Sequence, residues 1–269
     1  MSDKSQRRLH NLIRGLDRVL VAFSGGIDST LVLKVAHDAL GENAVAATAV
    51  SASLAKDDLV DAQRIAAEIG CEHVLLESHE TDDPRYRVND PNRCYFCKTN
   101  VYDALIKYAG AEGYTWILDG TNADDIGDHR PGLRAAREHG VRSPLQEGGM
   151  DKDSTRALAK QLGLSNWDKP ANACLSSRIP YGSEVTPEKL GQIESAEATL
   201  RKLGFSDFRV RHHGQVARLE LNPNDLTRAV ELREALDAAV KTAGFLYVTL
   251  DLAGFRSGSM NEALKSSAS

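Results

Sequence analysis

The chain has few cysteines, no long apolar run and no excess of positive charge, and each shortage removes a class of protein. Its 269 residues carry 38 acidic and 33 basic side chains. The resulting net charge of −5 offers no overall attraction to nucleic acid. No stretch approaches the roughly 20 apolar residues of a membrane span, so no membrane association is expected. The opening Ser2-Asp3-Lys4-Ser5-Gln6-Arg7-Arg8 leads into a mixed helix without the apolar core of an export signal, and a cytoplasmic location is expected. Four cysteines in that setting argue for thiol, metal or catalytic use rather than disulfides. The chain also lacks repeats, low-complexity segments apart from a frayed tail after Asn261, and the G-x-x-x-x-G-K string of the Walker phosphate loop. What remains is a globular composition, 42% apolar and 26% charged, with enough length for one large domain or two smaller ones.

The most informative stretch is 18–31. Val19 to Phe23 is a short β-rich apolar run of the kind that forms a buried parallel strand. It breaks at Ser24-Gly25-Gly26, and a helical pattern begins near Asp28. Two glycines let the backbone turn sharply and approach a ligand without a Cβ in the way. The helix that follows points its unpaired N–H groups and positive dipole end into the same space. Strand, glycine turn and helix N-terminus together suit a phosphate. Ser24-Gly25-Gly26-Ile27-Asp28-Ser29 matches the S-G-G-x-D-S signature, and the chain thereby resembles the PP-loop, or ATP-pyrophosphatase, superfamily. The resemblance implies ATP cut between its α- and β-phosphates, with pyrophosphate left on the loop. Asp28 is the candidate for holding Mg²⁺ among the phosphate oxygens, or else a first-turn carboxylate favoured by the helix dipole.

Strands over 19–23, 44–50, 73–76 and 116–118 alternate with helices over 4–17, 31–40, 55–69 and 99–109. That alternation predicts an α/β fold, a parallel sheet with helices on both faces, whose ligands sit at the strand C-termini. Ser51-Ala52-Ser53 then falls beside the loop as an adenosine neighbourhood or a plain capped turn, with Ser51 its candidate contact. Asp119-Gly120-Thr121-Asn122 follows the fourth strand, and Asp119, Thr121 and Asn122 are favoured as ATP or Mg²⁺ contacts over Asp124 and Asp125. Their alternative is a solvated turn with helix caps. Arg142 to Leu145 reads as an edge strand and 154–162 as a helix. A border near 183 separates a PP-loop domain, 1–182, from a small C-terminal α+β domain, 183–269, for substrate binding or oligomerisation. The latter reads helix 187–203, strands 207–212 and 215–221, helix 224–243 and strand 245–252.

Of the cysteines, Cys71 opens an apolar strand as a small buried hydrophobe. Cys94 and Cys97 form a C-x-x-C, which brings two sulfurs to one metal or into one redox pair. Cys174 is the natural third member, with Arg178 near enough in sequence to favour its thiolate. Three cysteines suit a [4Fe-4S] iron–sulfur cluster with an open iron, structural zinc, or independent free thiols.

Asn92-Arg93-Cys94-Tyr95-Phe96-Cys97-Lys98, Ala173-Cys174-Leu175-Ser176-Ser177-Arg178-Ile179-Pro180-Tyr181-Gly182, Leu250-Asp251-Leu252 and Gly254-Phe255-Arg256-Ser257-Gly258-Ser259-Met260-Asn261 add a more specific resemblance. With the loop motif they make nearly the whole chain similar to the LarE-type ATP-dependent sulfur transferases. That family builds the nickel-pincer nucleotide cofactor by converting carboxylates of pyridinium-3,5-dicarboxylate mononucleotide into thiocarboxylates. The resemblance implies catalytic roles for Asp28, Cys174, Ser177 and Arg178, and ATP contacts from Ser24, Gly25, Gly26, Asp28, Ser29, Ser51, Asp119, Thr121 and Asn122. In one branch the cysteine matching Cys174 surrenders its own sulfur. In another, three cysteines hold a [4Fe-4S] cluster, and the presence of Cys94, Cys97 and Cys174 places this chain nearer that branch. Arg209 and Arg211 alternate on one strand, with His212, His213 and Arg218 close by; the family implies a substrate-phosphate pocket there, against an exposed basic strand face. Glu220 on the paired strand either binds metal or neutralises those arginines. A homo-oligomer, a sulfide donor and a downstream nickel-insertion protein are the implied partners. The rivals are a transfer-RNA thiolase, which needs a basic RNA surface, an amide-forming PP-loop synthetase, which needs ammonia delivery, and a nucleotide-binding module with structural zinc.

Overall fold

The computed structural model describes residues 2–125, 131–170 and 173–256. Ala171 and Asn172, the Ser257–Asn261 part of the C-terminal motif and the tail after it lie outside the described residues. The chain divides into two compact units, residues 1–86 with 92–172, and residues 87–91 with 173–269.

The first unit runs α1 (Ser2–Arg14), β1 (Val19–Ala22), α2 (Ile27–Leu40), β2 (Ala44–Val50), α3 (Lys56–Ile69), β3 (His73–Glu77), the short α4 (Pro84–Arg87), α5 (Arg93–Glu112), β4 (Trp116–Leu118), α6 (Pro131–Glu138), α7 (Pro144–Gly148) and α8 (Lys152–Gln161). Its four strands are all parallel, in the order β3-β2-β1-β4. Alternate side chains of β1 serve two cores, as the period-2 rule requires. Val19 and Val21 join Leu9 and Ile13 of α1, Leu31 and Val35 of α2, Ile65 of α3 and Leu158 of α8. Leu20, with Val45 and Ile117 beside it, packs on Tyr102 and Leu105 of α5 and Ala135 of α6. Helices therefore cover both faces, and the near-continuous apolar strands follow from that double burial. Chain order reverses between β1 and β4, which makes their C-terminal ends the switch point where such sheets bind ligands.

Two local expectations change. Residues 142–145 do not form an edge strand: Arg142 makes a single parallel bridge to Leu118, and α7 starts at Pro144. Proline has no N–H to continue a ladder and suits the first turn of a helix. Helix α5 begins at Arg93, six positions before Thr99, so Cys94 and Cys97 lie on its first turn and not in the preceding loop.

The second unit contains α9 (Pro187–Lys202), β5 (Arg209–His213), β6 (Val216–Glu220), α10 (Leu226–Glu231), α11 (Arg233–Lys241) and β7 (Tyr247–Leu250). A helix expected over 224–243 is two, meeting at Leu232. The sheet order is β5-β6-β7, antiparallel then parallel. Its core joins Ala196 and Leu200 of α9 to Val210, Leu219, Leu236 and Val240. The border expected near 183 falls at 172/173 instead, because residues 173–182 pack here. Asn89 is the reason in part. It is fully buried at φ 58°, a left-handed conformation that asparagine tolerates, and its amide donates to the carbonyls of Ile179, Pro180 and Ser183 at 3.3, 2.8 and 2.9 Å. Backbone bonds from Gly182 N to Asn89 O and from Val185 N to Arg87 O complete the clip.

Candidate active site

The loop between β1 and α2 is held from several sides before any ligand is considered. Ser24 N donates to Ser29 Oγ at 3.3 Å, the two hydroxyls meet at 3.2 Å, and Ser29 Oγ donates to Gly26 O at 3.1 Å. Gly25 sits at φ 69°, and a Cβ there would lie 3.0 Å from Ala62 Cα of α3. Glycine is thus required for both conformation and space. Gly120, just past β4, is tighter still: a Cβ would stand 2.6 Å from Ser29 N. Asn166 is a contributor that sequence reasoning missed. Buried in the segment after α8, it donates to Gly25 O at 3.0 Å and Thr30 Oγ1 at 2.9 Å. A single asparagine outside any periodic pattern carries no signal of that role. Thr48 is another. It donates to Phe23 O at 2.7 Å and meets His73 Nε2 at 2.8 Å, and burial holds the His73 pKa below its ordinary value. A neutral imidazole then backs the residue that leads into the loop.

Beside the loop lie the carboxylates. Asp28, on the first turn of α2, accepts from Asn122 Nδ2 at 3.1 Å. Burial raises its pKa, the Asn122 bond opposes that, Asp125 raises it further, and Lys152 lowers it. A carboxylate short of positive charge at a helix N-terminus is suited to a cation carrying phosphate. Asp119 is buried and accepts from Thr121 N and Oγ1 at 3.0 and 2.9 Å, Ser143 Oγ at 2.7 Å and Tyr102 Oη at 3.2 Å. With that many donors it orders the turn after β4. Its direct contact with nucleotide is less needed than its neighbours' placement. Ser51, at the end of β2, donates to Glu80 and meets Ser53 Oγ at 2.9 Å. The structure therefore brings Ser24, Gly25, Gly26, Asp28, Ser29, Ser51, Asp119, Thr121 and Asn122 to one end of one sheet.

Cys94, exposed, and Cys97, half-buried, lie three positions apart on α5 and so on one side of it. The two residues between them are clamped: Arg134 lies 4.0 Å from the Tyr95 ring centroid and Arg85 4.9 Å from that of Phe96. Cys71 is buried and donates to Ala44 O, with burial pushing its thiol up to about 11, as fits a structural hydrophobe. Among the described residues no group of three or more metal-ligating side chains converges.

In the second unit Cys174 is free and exposed at the start of a 3-10 turn, Leu175–Arg178. The buried Arg178 forks onto Glu197 of α9 at 2.9 and 3.1 Å, and its other nitrogen binds Ala173 O, Cys174 O at 3.0 Å and Ser177 Oγ at 3.1 Å. Ser177 Oγ also donates to Cys174 O at 2.8 Å. Arg178 and Ser177 thus grip the backbone that presents the thiol. Arg178's guanidinium is at the same time paired with Glu197. Arg211 is buried and forks onto Glu220 at 2.9 and 2.6 Å while donating to Ser177 O at 3.0 Å. Glu220 also accepts from Arg218 at 2.8 Å, so it neutralises arginines, the second of the two roles expected for it. Arg209, partly exposed, donates to Phe208 O at 2.6 Å and lies over Phe255 at 4.8 Å.

A glycine cradle at the switch point of a parallel sheet, backed by Asp28 and Asn122, defines a PP-loop enzyme that uses ATP. A model of asparagine synthase matches residues 9–162, the sheet unit. A pyridinium-3,5-bisthiocarboxylic acid mononucleotide synthase of Lactiplantibacillus plantarum is 42% identical over 94% of this chain and 92% of its own. The chain belongs to the LarE-type, ATP-dependent sulfur transferases of the PP-loop superfamily. An uncharacterized protein of Synechocystis, slr1717, is 49% identical over 98% of this chain and 99% of its own. A tRNA-specific 2-thiouridylase MnmA of Caulobacter is more distant, 30% identical over 73% of this chain and 57% of its own. Among the described residues no helix is long and apolar enough to cross a membrane.

Proposed function

We propose that the chain converts a carboxylate of pyridinium-3,5-dicarboxylate mononucleotide into a thiocarboxylate in nickel-pincer nucleotide biosynthesis. The observation that carries this reading is the presence, in one chain, of the Ser24–Ser29 cradle and an exposed Cys174 presented on a turn gripped by Arg178. A carboxylate oxygen attacks the α-phosphorus of ATP, the bond from that phosphorus to the bridging oxygen breaks, and pyrophosphate leaves on the loop. Loop N–H groups meet the charge that develops there, and Asp28 would hold a Mg²⁺ that would supply further neutralisation of the phosphate oxygens. The acyl-adenylate that results has a stabilised phosphate as leaving group, which a sulfur nucleophile displaces as AMP. Arg209 and Arg211 are proposed to hold the mononucleotide's own phosphate.

Three cysteine sulfurs are the soft donors an iron–sulfur cluster takes, and the chemistry of that donor set fits the group. Cys94, Cys97 and Cys174 would hold a [4Fe-4S] cluster, which when bound supplies sulfide at its open iron. Without it, Cys174 attacks the acyl-adenylate itself. Loss of its α-proton then breaks the Cβ–S bond, releasing the thiocarboxylate and leaving dehydroalanine. The pairing of Cys94 with Cys97 on one helical turn favours the cluster, since the sacrificial route gives those residues no task. A cytoplasmic homo-oligomer supplied by a sulfide donor, and feeding a nickel-insertion protein, completes the reading. Iron analysis of anaerobically prepared protein, paired with intact mass before and after turnover, tests it. About four irons per chain, lost in Cys94→Ala and Cys97→Ala, is expected. Iron-free, active protein that loses the mass of hydrogen sulfide at Cys174 would refute the cluster and leave the transferase standing.

A further inference from the structure

The ends of β2 and β3 carry a buried carboxylate that the chemistry above does not use. Glu80 is 1% exposed, and the hydroxyls of Ser51, Ser53 and Ser78 all donate to it, the last at 2.6 Å. No arginine, lysine or histidine pairs with it among the described residues. A buried carboxyl group served only by neutral hydroxyls is costly to keep out of water and has no ion pair to offset that cost. Its presence needs a reason beyond filling space, because an apolar side chain would fill the same volume without the desolvation.

The reason lies in what the three hydroxyls fix. Ser51 Oγ donates to Glu80 and accepts from Ser53 N at 3.2 Å, while Leu54 N donates to Ser51 O at 3.2 Å. Ser78 N bonds Val50 O at 3.0 Å, tying the end of β3 to the end of β2. The carboxylate therefore sets the orientation of every hydroxyl on the Ser51–Leu54 turn and anchors the turn to the neighbouring strand. That turn stands at the same end of the sheet as the Ser24–Ser29 loop, one strand over from β1. On the other side of the α2 N-terminus the backbone of Gly120 already lies in close contact with Ser29. The Ser51–Leu54 turn therefore lies beside the loop on the side of β1 away from Gly120.

We propose that Glu80 is a positioning residue that presets the Ser51–Leu54 turn to receive the AMP moiety of ATP. This rests on the reading of the chain as an AMP-forming enzyme and deepens it. Since Glu80 acts through the turn and not the loop, its removal separates two ligands that normally arrive as one molecule. AMP and pyrophosphate, each with Mg²⁺, are titrated calorimetrically into the full-length protein and into Glu80→Ala, Glu80→Gln and Ser78→Ala. The expected result is AMP binding weakened on the order of tenfold in Glu80→Ala and less in Ser78→Ala, with pyrophosphate within about twofold of the parent throughout. Glu80→Gln, which keeps one acceptor oxygen, should fall between. Equal loss of both ligands would make Glu80 a general support of the fold, and unchanged AMP binding would remove it from recognition; either overturns the proposal. If Glu80→Ala does not fold, Ser78→Ala and Ser53→Ala decide, because each takes away one donor and leaves the carboxylate. A parent protein that binds pyrophosphate but not AMP contradicts the nucleotide reading itself, an outcome distinct from normal binding by parent and variants alike.

Discussion

The two units treat buried charge in opposite ways. In the sheet unit Glu80 and Asp119 are hydrogen-bonded by hydroxyls and a backbone N–H and Asp28 by an asparagine amide, with Lys98 acting on Asp119 and Lys152 on Asp28 through charge alone. In the second unit Glu197 and Glu220 are buried against Arg178, Arg211 and Arg218 in ion pairs of 2.6 to 2.9 Å. The first arrangement leaves these three carboxylates without an ion pair among the described residues. The second is complete in itself, so its arginines shape a cysteine turn and a strand without needing a ligand for compensation. On the proposed reaction, adenylation falls to the first unit and presentation of the thiol to the second.

Breaking the ion pairs should produce the largest effect. Glu197→Ala strands Arg178 in the interior and should cost about 3–5 kcal/mol in urea unfolding. The double replacement Arg178→Met with Glu197→Leu should recover much of that stability while sulfur transfer stays impaired, because the carbonyls of Ala173 and Cys174 lose their donor. A double variant as unstable as the single one would mean that packing, and not the stranded charge, is responsible. In the sheet unit the opposite split is expected. Asp28→Asn should lower AMP formation at least about a hundredfold with the unfolding midpoint little changed, since the Asp28 side chain is held by an asparagine amide and not by an ion pair. A large fall in stability would put Asp28 in the scaffold.

Arg209 and Arg211 sharpen the contrast within one strand. Arg209→Ala should weaken substrate by about 1.5–3 kcal/mol and leave ATP affinity alone, as removal of a charge-assisted contact would. Arg211→Ala should add a loss of stability, because Glu220 then loses a buried ion pair. Comparable losses for both ligands in Arg209→Ala would move the phosphate pocket elsewhere. The smallest effect concerns pH. Burial holds His73, His212 and His213 below the ordinary value of 6.5, so the folded protein binds fewer protons than the unfolded chain just below that value. Their neutral forms therefore support the fold above pH 6.5, and stability should fall as pH drops through it. Two of the three lie in the second unit, so hydrogen exchange should show that unit loosening first.

Much of the sheet unit was legible because its signals are local. Apolar runs, the glycine pair and Asp28 follow one another within 14 residues, and a parallel sheet brings every strand end to the same place. The ATP cradle could be read for that reason. Asn166, Glu80 and Thr48 could not, because each acts across the fold on a segment far away in sequence, with no periodicity to mark it. Pro144 was legible in principle, since proline suits the first turn of a helix better than a strand ladder. In the second unit the strand pair was visible, yet the Arg178–Glu197 and Arg211–Glu220 pairs depend on register and packing. The unit's border was hidden for a similar reason: Asn89 supplies the hydrogen bonds for residues 179–183 from some 90 positions upstream.

The most direct test of this division of labour is the fate of ATP. Protein is incubated with Mg–ATP, sulfide and the dicarboxylate mononucleotide, and the nucleotides are resolved chromatographically with substrate present and absent. AMP and pyrophosphate formed in step with thiocarboxylate, and only when the carboxylate substrate is present, is the predicted result. ADP and phosphate as products, or AMP released equally without substrate, would contradict it.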